Sequence, residues 1–86
     1  MYGMAYTRQA LKDKDNLQAT YLYKKAKYLI NLMKTNPFQN PPPYEKLSGD
    51  LKGLYSRRLN LQHRIWYSVD IPAKTVRIIR MWTHYE

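Results

Sequence analysis

The stretch "YSRRLNLQHRIWYSVD" (residues 55–70) contains two runs of mixed apolar and charged residues on either side of a short polar connection. Tyrosine, isoleucine, tryptophan and valine recur in it, and these residue types favour β-strands. After "IPAK" (71–74), a third run of the same kind, "TVRIIRMW" (75–82), follows. The last third of the chain is therefore predicted to form a three-stranded antiparallel meander.

These predicted strands carry an unusual amount of positive charge for strands that must build a core. Side chains alternate between the two faces of a strand. This alternation places Arg57 and Arg58 on opposite faces, and it places Arg64 and Trp66 together on the face opposite Tyr67. Neither strand alternates cleanly between apolar and polar residues. Part of the sheet is therefore expected to face both a core and a polar partner.

The N-terminal part predicts one strand followed by helices. "YGMAY" (2–6) has the aromatic character of a short strand, and Thr7 is suited to cap a short first helix over "RQALKDKD" (8–15). Asp15 with Gln18 three residues later resembles a capping box, in which each side chain bonds a free backbone N–H of the first turn. A second helix is therefore expected to begin there.

The second helix has the clearest pattern in the chain. Its apolar residues lie at i, i+4, i+7, i+8 and i+11, and they are Leu22, Ala26, Leu29, Ile30 and Met33. Asn36-Pro37 predicts its end, because the residue before proline avoids the α conformation, and the proline-rich segment 36–44 predicts a stiff connector. We predict one α+β domain over residues 1–86, with the order β-α-α-β-β-β and two helices packed on a twisted, mainly antiparallel sheet.

Composition limits the function more than the fold. The chain has 86 residues, with 15 Lys and Arg against six Asp and Glu, a net charge of +9 and a pI near 9.9. Nucleic acid, an anionic membrane surface and an acidic protein all remain possible partners. The absence of cysteine excludes disulfides and cysteine-based zinc sites. No metal, cofactor, signal peptide or membrane span is expected, which indicates a cytoplasmic protein.

Most catalytic signatures are missing, including glycine-rich phosphate loops, nucleophile elbows and carboxylate clusters. Cleavage of RNA without a metal is still chemically open, because RNA carries its own nucleophile in the 2′-hydroxyl. Such cleavage needs a base, cations for the phosphate and an acid for the leaving 5′-oxygen. Glu45, Arg57, Arg58, Arg64 and His84 supply these groups, although spacing alone does not establish that they converge.

The segment "YEKLSGDLKGLYSRRLNLQHRIWYSVD" (44–70), together with the ending "WTHYE" (82–86), resembles the YoeB/Txe family of toxins from toxin–antitoxin systems, within the RelE-like superfamily. The matching pieces are a Glu before a Leu, a Leu-x-Gly-x-aromatic-Ser-Arg-Arg strand, a Gln-His-Arg run and a terminal His-Tyr. Glu45 precedes Arg64 by nineteen residues, the spacing that the family leads one to expect.

The resemblance implies a bacterial, ribosome-dependent endoribonuclease that cuts mRNA in the ribosomal A site. By this resemblance, Glu45 is the general base on the 2′-hydroxyl. Arg64, assisted by Arg58, holds the phosphate and stabilises the transition state. His84 is the general acid, and Tyr85 helps to set the active-site end of the chain. The expected product is a 2′,3′-cyclic phosphate, and no metal is required.

Further expectations concern partners and the remaining basic residues. Arg57, Lys46 and Lys52 are predicted to bind phosphate, and His63 is predicted to be structural. The resemblance implies contacts with ribosomal RNA of the 30S A site, a YefM/Axe-like antitoxin and a possible homodimer. It also implies operator DNA binding only through the antitoxin, and no membrane. A non-catalytic RNA- or ribosome-binding module and an antitoxin-dependent transcriptional corepressor remain the alternatives.

Overall fold

A computed structural model describes residues 1–81 of the chain, and within them two helices pack on a five-stranded sheet. The elements are β1 (Gly3–Tyr6), α1 (Arg8–Gln18), α2 (Leu22–Thr35), β2 (Glu45–Lys46), a single 3₁₀ turn (Gly49–Leu51), β3 (Tyr55–Arg58), β4 (Arg64–Asp70) and β5 (Thr75–Arg80). The strands are ordered β1-β5-β4-β3-β2. β1 runs parallel to β5 and the other neighbours are antiparallel. The predicted α+β class and the meander are confirmed, and β2 adds a fifth strand too short to predict from periodicity.

The boundary between the two helices differs from the prediction. Thr7 does cap α1, since its hydroxyl accepts a hydrogen bond from the backbone N–H three residues later at 3.0 Å. However, α1 continues through Asp15, so the helix start predicted there is wrong. The extra turn buries Leu17 completely, and this burial outweighs the local capping preference of Asp15. The chain breaks instead near Thr20, whose hydroxyl accepts from the N–H of Leu22 at 3.2 Å.

The core lies between the helices and one face of the sheet. The five apolar positions predicted for α2 are its five buried residues, as expected from their spacing. They pack against sheet side chains with 0% exposure, namely Ile65, Tyr67, Val76 and Ile78. No helix within residues 1–81 is long and apolar enough to span a membrane. The helices thus cover one face of the sheet. The opposite face, formed by the alternate residues of each strand, is not covered by the helices and carries charged side chains.

A register shift interrupts the pairing of β4 with β5. It falls between Trp66 and Tyr67 and leaves Ile79 of β5 without a partner in that ladder. The carbonyl of Ile79 instead accepts a hydrogen bond from the Thr7 hydroxyl at 2.8 Å. Such a bulge bends a strand and increases its twist, so the end of β5 is fixed by the start of α1 rather than by β4 alone.

Candidate active site

Four polar residues from three strands share the open face of the sheet. Glu45 of β2 pairs with Ser56 of β3, and Arg58 of β3 pairs with Arg64 of β4. Paired residues in neighbouring strands lie on the same face, and residues two apart in one strand do as well. The register therefore brings together three of the residues that the sequence singled out, Glu45, Arg58 and Arg64, and adds Ser56, which it did not.

The Arg64 guanidinium is the fixed centre of this group. Its Nη1 lies 3.4 Å from Oε2 of Glu45, and it donates a hydrogen bond to the Ser56 hydroxyl at 3.2 Å. The Arg64 side chain is 9% exposed, whereas that of Glu45 is 60% exposed. An ion pair with a solvated carboxylate contributes little stability. The carboxylate can therefore exchange the arginine for another partner at small cost, while the arginine stays in place.

A cavity of about 270 Å³ opens above these side chains. Its walls are formed by Pro43, Tyr44, Glu45, Ser56, Arg58 and Arg64. The two guanidinium groups offer planar arrays of donors that suit phosphate oxygens, and the carboxylate can accept a proton. The arrangement can thus bind a phosphodiester and deprotonate a hydroxyl beside it.

Arg57 does not belong to this group. It lies on the helix-covered face and is 1% exposed. Its guanidinium donates to the carbonyls of Pro42 at 2.8 Å and of Pro37 and Gln39 at 2.9 Å. It also lies over the Tyr44 ring, 5.2 Å from its centre. The structure therefore does not place Arg57 where a phosphate could reach it, because its donors hold the proline-rich loop.

The other predicted residues fall into three places. Lys46 and Lys52 line a neighbouring cavity of about 380 Å³ beside the 3₁₀ turn. His63 is 6% exposed at the β3–β4 connection, where its carbonyl accepts from the N–H of Leu59 at 2.8 Å. His84 and Tyr85 lie outside the described residues. Among the residues that the structure describes, no cluster of three or more His, Asp and Glu could hold a metal ion.

Sequence reasoning missed Asp13, which fixes the end of β5. Although 1% exposed, Asp13 accepts hydrogen bonds from Arg80 Nε at 2.8 Å, from the Met81 N–H at 3.0 Å and from Gln9 at 3.1 Å. Burial alone would raise the pKa of Asp13, but these hydrogen bonds and the charge of Arg80 outweigh burial and lower the pKa below its usual 3.8. A sequence signal existed, because Asp13 occupies a core position of α1, between two buried residues of its stripe.

Two helices packed on a mixed five-stranded sheet form the α+β fold of the RelE-like toxins. A model of the YoeB-like toxins of bacterial type II toxin–antitoxin systems matches residues 6–85. The chain therefore belongs to that family and is the toxin of a type II toxin–antitoxin system.

Individual relatives agree with this assignment. The Toxin YoeB of Synechocystis is 34% identical over 65 residues, which cover 76% of this chain and 73% of that protein. A YoeB/ParE toxin from Agrobacterium tumefaciens superposes with a TM-score of 0.87 at 29% identity, covering 96% of this chain and 99% of that one. The YoeB–YefM complex of Staphylococcus aureus gives 0.82 at 30% identity over 99% of both chains. A YoeB dimer from Staphylococcus aureus gives a TM-score of 0.81 at 30% identity over 98% of both chains.

Proposed function

We propose that this toxin is a ribosome-dependent endoribonuclease that cuts mRNA in the A site by acid/base catalysis without a metal. The observation that carries the proposal is the pairing of a solvated Glu45 carboxylate with a buried, hydrogen-bonded Arg64 guanidinium in a cavity of about 270 Å³. The family membership supplies the context, because it makes this chain the toxin of a toxin–antitoxin pair. A messenger bound to the ribosome supplies both the anionic substrate and the 2′-hydroxyl.

In the proposed reaction, Glu45 removes the proton of the 2′-hydroxyl, and the resulting oxygen attacks the adjacent phosphorus. The bond from phosphorus to the 5′-oxygen breaks, and His84 returns a proton to that oxygen. The products are a 2′,3′-cyclic phosphate and a free 5′-hydroxyl. Arg64 and Arg58 neutralise the extra charge on the phosphate oxygens in the transition state, which is where fixed donors contribute most. Ser56 holds Arg64 in orientation through the bond at 3.2 Å.

The proposed role of His84 rests on the family resemblance, and the described strands end shortly before it in the sequence. β4 begins at Arg64, and the antiparallel β5 ends beside that point. In the sequence, His84 follows the end of β5 at Arg80 by four residues. Tyr85 is proposed to support the same end of the site.

The test is primer-extension mapping of a defined message on programmed ribosomes. We expect the wild type to cut at the A-site codon, and we expect Glu45→Gln and His84→Gln to slow the cut by at least ~100-fold each. Asp15→Asn is the matched control, because it removes an exposed carboxylate on α1 and should leave the rate unchanged. A loss in Glu45→Gln alone would remove His84 as the acid. No cut by the wild type would leave an RNA-binding module or a corepressor.

The toxin is further proposed to bind a YefM-like antitoxin and to form a homodimer. The complex and the dimer known for the Staphylococcus aureus toxin support these partners. The net charge of +9 favours an acidic antitoxin segment, and operator DNA would be bound only through the antitoxin. Expression should arrest growth, and co-expression of the acidic antitoxin should reverse the arrest. Light scattering on the purified toxin then measures the dimer directly.

A further inference from the structure

A second cavity borders Glu45, separate from the one that contains the two arginines. It measures about 270 Å³, and its walls are formed by Glu45, Lys46, Leu47, Ser48, Leu51 and Trp66. Within the described part of the chain, Glu45 is the residue that the two cavities share. The carboxylate therefore separates a cationic compartment from one that has a large aromatic side chain in its wall.

The sheet register fixes Trp66 in this position. Glu45 pairs with Ser56, and Ser56 pairs with Trp66, so these three residues form one row across three strands on the open face. Neighbouring strands are about 4.8 Å apart, which places the indole two strands from the carboxylate. Tyr67, the next residue, lies on the opposite face with 0% exposure. Of these two aromatic residues, Trp66 is the one available to a ligand at the site.

The proposed reaction determines which part of the substrate must lie next to the Glu45 carboxylate. Glu45 acts on the 2′-hydroxyl, and in a ribonucleotide the base is attached to the carbon adjacent to the one that bears this hydroxyl. When the phosphate occupies the cavity lined by Arg58 and Arg64, the base of the attacking nucleotide must lie beside Glu45. Aromatic side chains bind unpaired bases by stacking, and Leu51, 37% exposed, adds an apolar surface to the same cavity.

We propose that Trp66 is the stacking wall of a subsite for the base of the nucleotide whose 2′-hydroxyl attacks. This proposal rests on the proposed ribonuclease function and adds a substrate contact to it. The subsite would make cleavage depend on the base at this position as well as on the backbone.

The first experiment tests the contact by combining two deletions on programmed ribosomes. One deletion is Trp66→Leu, and the other replaces the attacking nucleotide by an abasic ribonucleotide. We expect base removal to slow the wild type by roughly 5- to 150-fold, the range of one base–aromatic stack, and to slow Trp66→Leu much less. If the two deletions slow cleavage independently, so that their rate effects multiply, the proposal is overturned, because groups in contact show coupled effects.

Trp66→Phe serves as the conservative variant and should restore most of the coupling. Phenylalanine keeps an aromatic ring but lacks the indole N–H. Because Nε1 of Trp66 is buried and has no hydrogen-bond partner within residues 1–81, this variant removes no hydrogen bond seen there and tests the ring face. Tyr28→Leu is the matched control, since Tyr28 is 58% exposed on α2 and should change neither rate nor coupling. If Trp66→Phe behaves like Trp66→Leu, stacking is not the interaction and the subsite is refuted.

A second readout does not require cleavage. A message with 2-aminopurine and a 2′-deoxyribose at the attacking position cannot react, and its fluorescence is quenched when the base stacks. We expect the wild type to quench this fluorescence on the ribosome and Trp66→Leu not to do so. Trp66-dependent quenching of this message, together with no cutting of an ordinary ribose message by the wild type, would refute the ribonuclease function alone. Cutting without such quenching would refute the subsite alone.

Discussion

Replacing Arg57 by methionine tests whether this buried arginine holds the proline-rich loop that leads to Glu45, the proposed general base. The methionine retains an unbranched stem but removes the donors from the carbonyls of Pro37, Gln39 and Pro42. Hydrogen bonds from a charged donor contribute about 1.5–3 kcal/mol each, while removing a buried charge recovers several kcal/mol of desolvation. We expect the free energy of unfolding to fall by about 2–4 kcal/mol, a large share of the roughly 4–13 kcal/mol typical of this length.

Arg58→Met is the control for Arg57→Met, because the two residues are adjacent in β3 and lie on opposite faces. Arg58 is exposed, so its replacement should change the free energy of unfolding by no more than about 0.5 kcal/mol. Urea unfolding followed by far-UV circular dichroism measures both variants. Messenger cleavage under conditions where both are folded should be impaired in Arg58→Met through lost phosphate binding and in Arg57→Met through a displaced Glu45.

Arg57→Lys separates geometry from charge. A lysine keeps the positive charge, but its single nitrogen cannot reproduce the planar fork that reaches three carbonyls. The loss of stability in Arg57→Lys should therefore be at least as large as in Arg57→Met. Equal stability of Arg57→Met and Arg58→Met, or full stability of Arg57→Lys, would refute the conclusion that the guanidinium holds the loop.

Two further predictions concern pH. Asp13→Asn should destabilise the protein by about 2–3 kcal/mol at pH 7. Because the pKa of Asp13 is lowered by folding, the unfolded chain binds more protons in acid. The difference from wild type in urea unfolding should thus be constant above about pH 5 and shrink as the pH falls through 3.8; a difference independent of pH would contradict this. Burial raises the pKa of Tyr67 to about 12, and its hydroxyl donates to Pro37. Tyr67→Phe should lose about 1 kcal/mol at pH 7 but should lack the part of the alkaline destabilisation that wild type undergoes as pH rises from 10 towards 12; parallel alkaline curves would contradict this.

The parts of the fold that follow from local periodicity could be predicted from the sequence. The α2 stripe, the Thr7 cap and the three-stranded meander each depend on patterns within a few residues. The end of α1 could not be predicted in the same way. Asp15 has a strong local capping signal, and the competing contribution is the tertiary burial of Leu17, which no local pattern measures. The strand β2 has two residues and owes its existence to pairing with β3.

The same distinction between local patterns and long-range contacts applies to the candidate site. Alternation along β3 placed Arg57 and Arg58 on opposite faces, yet both were assigned to phosphate binding, Arg58 by the family resemblance and Arg57 as one of the remaining basic residues. What the sequence could not show is that the proline-rich loop returns its carbonyls to Arg57, since this contact joins residues 15 to 20 positions apart. Asp13 was overlooked for a related reason. Its partner Arg80 lies 67 positions away, and an aspartate in a charged helix is usually solvated.

The proposed role of Glu45 as general base brings two requirements that ordinarily conflict. A general base must be open to its substrate, yet it must be held within a fraction of an ångström of the productive geometry. Here the side chain is 60% exposed, while the backbone is fixed on both sides. On the N-terminal side, Arg57 bonds the loop that leads into Tyr44. On the C-terminal side, the N–H of Leu47 donates to the Leu54 carbonyl at 2.9 Å. The buried arginine therefore serves the proposed chemistry through position, and its exposed neighbour Arg58 serves it through charge.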